Sequence, residues 1–190
     1  MVKVRLYLVR HGKTMFNTIG RAQGWSDTPL TAEGELGIHE LGIGLRESGL
    51  QFERAYSSDS GRTIQTMGII LEELRLQGKI PYRMDKRIRE WCFGSFDGAY
   101  DGDLFMGVIP RVFKVDHVHQ LSYAELAEGL VEVDTAGWAE GWEKLSGRIK
   151  EGFETIAKEM EEQGGGNALV VSHGMTIGTI VYLINGMHPH

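Results

Sequence analysis

The chain of 190 residues holds a single cysteine, Cys92, so no internal disulfide can form, and the expected setting is a reducing one, the cytoplasm. Long apolar runs are missing too. The most apolar stretch, "TIGTIVYLI" from Thr176 to Ile184, is far too short to cross a bilayer, so no membrane role is expected. The chain starts with no basic segment followed by an apolar one, so no signal peptide is read. Positive charge is in deficit: the formal net charge of −6 argues against the basic face of a nucleic-acid binder. Tandem repeats and low-complexity tracts are also lacking.

What remains is ordinary for a soluble globular protein, with 42% hydrophobic and 24% charged residues. The length suits a single domain over residues 1–190, with an insertion at about 91–137. Charge is unevenly spread. Between Asp97 and Asp134 stand eight acids and only two bases, Arg111 and Lys114, which accounts for the whole of the −6. The rest is formally neutral and carries most of the arginines, so an anion site is expected outside that acidic segment.

The run from Val2 to Val9 is β-branched and apolar enough for an inner strand. Thr31 is a fitting N-cap for a helix ending near Gly49. "FERAYSS" reads as a second strand, and "SSD", Ser57 to Asp59, as the cap of a helix carrying Ile64, Met67, Ile70, Leu71 and Leu74. Tyr82 to Glu90 reads as a strand or extended arm. Periodicity is poor from Trp91 to about Gly137. An amphipathic helix follows from about Glu140 to Gln163, stopped by Gly164 to Gly166; a strand over Ala168 to Val171 and a short helix from Thr176 complete the chain. Strands alternating with helices imply an α/β fold, a three-layer sandwich with a mainly parallel central sheet.

Two strand ends carry the chemistry. "LVRHG" places Arg10, His11 and Gly12 after the first strand, and "VVSHG" places His173 and Gly174 after the last. Ligand sites gather at the carboxyl ends of strands in open α/β sheets, so neighbouring strands would bring the two histidines together. The glycines are expected to permit tight turns that expose the imidazoles. Either histidine alone is more often structural; the matched pair is harder to dismiss. Arg62 falls in the first turn of the helix expected to be capped at Ser58 or Asp59, where free N–H groups favour an anion. Beside Arg10 it becomes an arm of a phosphate clamp, because guanidinium forks match phosphate oxygens.

These residues resemble the histidine phosphatase superfamily, which includes cofactor-dependent phosphoglycerate mutases and many small phosphatases. "RHGKTMFN", "QGWSDTPLT", "SSDSGRTIQT", "IREWCFGSFDG" and "VVSHG" stand in the family's order. The resemblance implies a phosphoglycerate mutase-like fold with the insertion arching over the site. It also implies a metal-independent enzyme with no cofactor, acting on a small phosphorylated substrate through a phosphohistidine on His11. Arg10, Arg62 and His173 would stabilise the transferring group; Asn17, Gln23 and Gly24 would bind phosphate; Glu90 would be the proton donor. Without the flanking "FGSFDG", Glu90 reads rather as a partner for Arg87 or Arg89.

Family members usually carry Glu or Gln after "RHG", whereas Lys13 stands here, either adding positive potential at the mouth or solvated. The chain stops at His190, where relatives commonly add an edge strand. "DHVH", Asp116 to His119, lacks the Cys or further His of a tetrahedral metal set, so no metal is assigned. The leading expectation is a phosphatase, since "WCFGSFDG" is similar to that branch. A phosphoglycerate mutase is the alternative within enzymes, and a non-catalytic binder of phosphorylated ligands the alternative outside them. Acidity of the insertion argues against bulky polyanionic substrates. Oligomeric state and the physiological substrate are left open.

Overall fold

The structure, a computed structural model, describes residues 1–186. The first strand, β1 (Val4–Arg10), leads through α1 (Met15–Ile19) to α2 (Ala32–Glu47), then β2 (Arg54–Ser57), α3 (Gly61–Glu73) and β3 (Tyr82–Met84). The stretch that follows is helical: a π-helical segment over Gly102–Val108, then α4 (Ile109–Phe113) and α5 (Tyr123–Val133). The chain closes with α6 (Trp142–Glu162), β4 (Gly166–Ser172) and α7 (Gly174–Asn185). The sheet order is β1-β4-β2-β3, and all three pairings are parallel. No helix among the described residues is long and apolar enough to cross a membrane.

Strand alternation divides the apolar residues between two layers. Ala168 and Val170 face one side with Tyr56; Leu169 and Val171 face the other with Ala55. On the first side they meet α6 through Leu145, Ile149, Phe153 and Ile156, together with Leu104, Ile109, Leu126 and Leu130 from the insertion. On the second they meet Ile38 of α2 and Met67, Ile70 and Leu71 of α3. This is the expected sandwich. The segment 91–137 is thus continuous with the main core; the expected lack of periodicity does not hold for α5, whose Leu126 and Leu130 share a buried face, and holds at the π segment. Leu104 and Ile109 lie five residues apart, the spacing of a π turn rather than an α turn.

Two local expectations need correction. The helix α3 is capped at Ser60, not at Ser58 or Asp59, and Ser60 makes no side-chain cap bond. The capping anion comes from elsewhere: Asp27 accepts from the backbone N–H of Arg62 at 3.3 Å. The glycines after the two histidines do not take left-handed backbone angles. Gly12 is needed for clearance, because a Cβ there would lie 2.8 Å from Ile38 and 3.1 Å from the Gly34 carbonyl. The cap at Thr31 is as expected, its hydroxyl accepting from Gly34 N–H. Any element beyond Gly186, including an added edge strand, lies outside the described residues.

Candidate active site

Register places the site. Arg10 pairs with Ser172 across β1 and β4, so the next residues, His11 and His173, leave the sheet side by side. Their rings meet edge to face with centroids 5.4 Å apart. The Nδ1 of His11 lies 2.8 Å from the Gly12 carbonyl, which can only accept. Nδ1 therefore carries the proton and Nε2 is left bare. Burial, reinforced by the charges of Arg62 and Arg10, lowers the His11 pKa to about 4, so the imidazole is neutral at neutral pH. A neutral imidazole with a bare, fixed nitrogen can act as a nucleophile.

Arg62 is fully buried, and its five N–H donors can be accounted for one by one. One terminal nitrogen donates to the Ser26 carbonyl at 2.8 Å and to Asp27 at 2.9 Å. The other donates to the Gly24 carbonyl at 2.7 Å and to Nδ1 of His173 at 3.0 Å. The remaining donor, Nε–H, has no partner among the described residues. An unmade hydrogen bond at a buried charged group is costly, which marks a place for an acceptor the protein itself does not supply. Arg10 is exposed and makes no hydrogen bond or ion pair among the described residues; its guanidinium runs over Gly174, where a Cβ would lie 3.4 Å from Nε.

His173 is fully buried with both nitrogens engaged. Since Nδ1 accepts from Arg62, Nε2 holds the proton and donates to the Ser58 hydroxyl at 2.7 Å. Desolvation, with Arg62 and His11 adding to it, pushes its pKa well below the usual histidine range. Contact with an oxyanion thus requires His173 to exchange its Ser58 bond. Asn17 spends its carbonyl oxygen on Thr14, accepting from the N–H at 3.0 Å and the hydroxyl at 2.9 Å, which leaves the amide nitrogen as its donor.

Gln23 and Gly24, expected to bind phosphate, have their hydrogen-bonding groups committed to protein partners. The Gln23 amide spans the Thr14 and Thr28 hydroxyls at 2.7 and 3.0 Å. The Gly24 N–H goes to Asp97 at 2.9 Å. Asp97 also accepts from the N–H groups of Trp25 and Ser26, so one carboxylate gathers the loop whose carbonyls hold Arg62. This residue was not singled out in the sequence, although it stands in "FGSFDG". Lys13, at the unusual position, pairs with Glu33 at 2.8 Å.

Glu90 is buried and pairs with neither neighbouring arginine: Arg87 binds Asp85, and Arg89 binds Asp59. Its Oε1 accepts from the N–H groups of Trp91 and Thr176 and from the Thr176 hydroxyl. Among the described residues its Oε2 accepts only from the Met175 N–H, at 3.1 Å. Burial raises the Glu90 pKa against the pull of these hydrogen bonds, and Oε2 is the oxygen free to carry a proton. The carboxyl thereby caps the first turn of α7, which follows directly from His173.

Comparison with known proteins identifies the family and the fold. The family model described as histidine phosphatase superfamily (branch 1) matches residues 6–190. A Salmonella choleraesuis protein named "Probable phosphoglycerate mutase GpmB" is 31% identical over 186 residues, covering 97% of this chain and 76% of its own. The crystal structure of a phosphoglycerate mutase from Bacillus anthracis shares 36% identity at a TM-score of 0.91, covering 97% and 82%. An alpha-ribazole phosphatase from Shigella flexneri, at 23% identity and a TM-score of 0.67, covering 96% and 80%, shares the fold.

Proposed function

The chain belongs to the histidine phosphatase superfamily, and from that premise we propose that it is a metal-independent phosphomonoesterase working through a phosphohistidine on His11. One observation carries the reading: His11 is neutral, with its Nδ1 proton tied to Gly12 and its Nε2 bare, beside the unpartnered Nε–H of Arg62.

In this reading Nε2 of His11 attacks phosphorus and the bond to the alcohol oxygen breaks. Arg10, Arg62 and the Asn17 amide hold the non-bridging oxygens, and His173 joins them by releasing Ser58. Side-chain cations of this kind can substitute for a metal in neutralising the transferring group. Glu90 delivers its proton to the departing oxygen, since a poor leaving group needs one. It then takes a proton from water, which attacks phosphorus, breaks the P–N bond and releases inorganic phosphate with His11 restored.

A phosphoglycerate mutase is the second reading, favoured by the names of the relatives at 31% and 36% identity. In that case the phosphoryl group returns from His11 to a glycerate hydroxyl rather than to water. Incubation with 3-phosphoglycerate and a set of phosphate monoesters separates the two. Inorganic phosphate, with phosphate on His11 in acid-quenched protein, supports hydrolysis. Formation of the 2-isomer without phosphate release establishes the mutase, and phosphate trapped on another residue overturns the mechanism.

A further inference from the structure

A cavity of about 930 Å³ lies under the insertion, walled by Phe105, Met106, Leu121, Tyr123, Leu126 and Met175. We propose that it receives the alcohol part of the substrate and selects phosphate monoesters of long, uncharged, apolar alcohols; this assignment rests on the phosphomonoesterase reading above.

Its position follows from the chemistry. In an in-line displacement the leaving oxygen lies opposite His11, at the group that protonates it, so the alcohol's carbon skeleton extends on the Glu90 side. Two lining residues sit there. Met175 donates its N–H to Oε2 of Glu90, and the Tyr123 ring packs against Trp91, the residue after Glu90, with centroids 5.7 Å apart. The charge of Glu90 also adds to burial in raising the Tyr123 pKa. One wall is built from the π-helical turn over Gly102–Val108, and such turns recur at functional sites.

The lining decides the class. No arginine or lysine lines the cavity among the described residues; its walls are mainly apolar, and its polar lining is His119, Gln120, Ser122 and Glu125. A carboxylated leaving group faces Glu125 there, an acid held ionised by its cap bonds to Ser122. The volume lies near the upper end for small-molecule sites, at about 300–1,000 Å³, and a three-carbon glycerate leaves most of it unfilled.

The test uses n-alkyl phosphates from ethyl to octyl, whose alcohols are nearly equal in basicity and so make equal demands on Glu90. Burying each methylene raises kcat/KM by about fourfold until the cavity is filled. The n-alkylphosphonates, which cannot be hydrolysed, show the same trend in Kd by calorimetry. Met106→Asp, at an exposed lining position, flattens both series. Esters hydrolysed with no dependence on chain length, or 3-phosphoglycerate preferred over butyl phosphate, overturn the pocket assignment while leaving the phosphatase. Phosphonate affinity rising with length but no ester turned over removes the phosphatase reading and keeps the pocket. Neither turnover nor phosphonate binding removes both.

Discussion

His11 and His173 stand edge to face at 62°, 5.4 Å between ring centroids, because the β1–β4 register ends both strands at the same level. Neither ring is free to take a proton cheaply. Each is buried, and the charges of Arg62 and Arg10 oppose protonation of both. The pair is therefore a neutral one held inside a cationic frame, which suits attack on an anionic phosphate.

That neutrality should be visible in stability. With the folded pKa of His11 near 4 against 6.5 for the free side chain, the unfolded chain binds a proton that the folded one refuses. Stability from this group is full above pH 6.5 and falls as the pH drops towards 4, by roughly 3 kcal/mol. Denaturant unfolding at several pH values between 4 and 7 should show the wild type losing more stability than His11→Asn. His173 contributes in the same direction and is retained in the variant, so a slope remains. Identical slopes in the two proteins would contradict the lowered pKa.

Arg10 and Arg62 separate binding from folding. Arg10 is exposed and unpartnered among the described residues, so Arg10→Ala should leave the thermal midpoint nearly unchanged. An arginine on a transferring phosphoryl group is worth about 10³–10⁵ in rate in related chemistry, and a loss towards the lower end is expected here. Arg62→Ala should lose activity and stability together, because it strands Asp27, the Gly24 and Ser26 carbonyls and His173. Full activity in Arg10→Ala rules out its place in the clamp.

Asp97 should act through the loop it gathers. Asp97→Asn replaces one acceptor oxygen by an amide, disturbing the bonds to Gly24, Trp25 and Ser26 and thereby the carbonyls around Arg62. Misplacement of a binding group by about 1 Å can cost 10²-fold in rate. The expected signature is a weaker inhibition constant for inorganic phosphate alongside that loss. An unchanged inhibition constant would restrict Asp97 to folding.

What the sequence revealed and what it hid follow a physical division. Strand ends, the Thr31 cap and the face of α3 depend on neighbours in sequence, and they were readable. The capping of α3 was misread because its anion, Asp27, arrives across the loop at a separation of 35 residues. The acceptor of the Gly24 N–H, Asp97, stands 73 residues later, so the sequence near Gly24 gives no sign of it. Part of the insertion, Gly102–Val108, follows a π turn for which an α-helical template has no match, whereas α5 within it has ordinary α spacing at Leu126 and Leu130 and was overlooked. The family resemblance supplied the proposed role of Glu90, where the residue pattern alone favoured an ion-pair partner. The geometry removes the ion-pair option.

Glu90 carries the most discriminating prediction. Its burial raises the pKa, so the protonated form needed by a general acid persists above the usual carboxylate range. If it protonates the leaving oxygen, its loss matters in proportion to how badly that oxygen needs a proton. An alkyl phosphate departs as a strongly basic alkoxide and should suffer most in Glu90→Gln. p-Nitrophenyl phosphate departs as a stabilised phenolate and should suffer much less. General acid–base catalysis contributes about 10²–10⁴ in rate, so the contrast is large enough to measure. In the proposed mechanism Glu90 also serves the attacking water, a step both substrates share, so steady-state rates mix two effects. Rapid-quench measurement of phosphate on His11 isolates the first step. The glutamine keeps one acceptor oxygen, enough for the Trp91 and Thr176 N–H groups, and turns its NH2 towards the Met175 N–H, so the thermal midpoint reads the cost of losing that one contact. Equal slowing of the first step for both substrates would deny Glu90 the role of acid and leave it as the cap of α7.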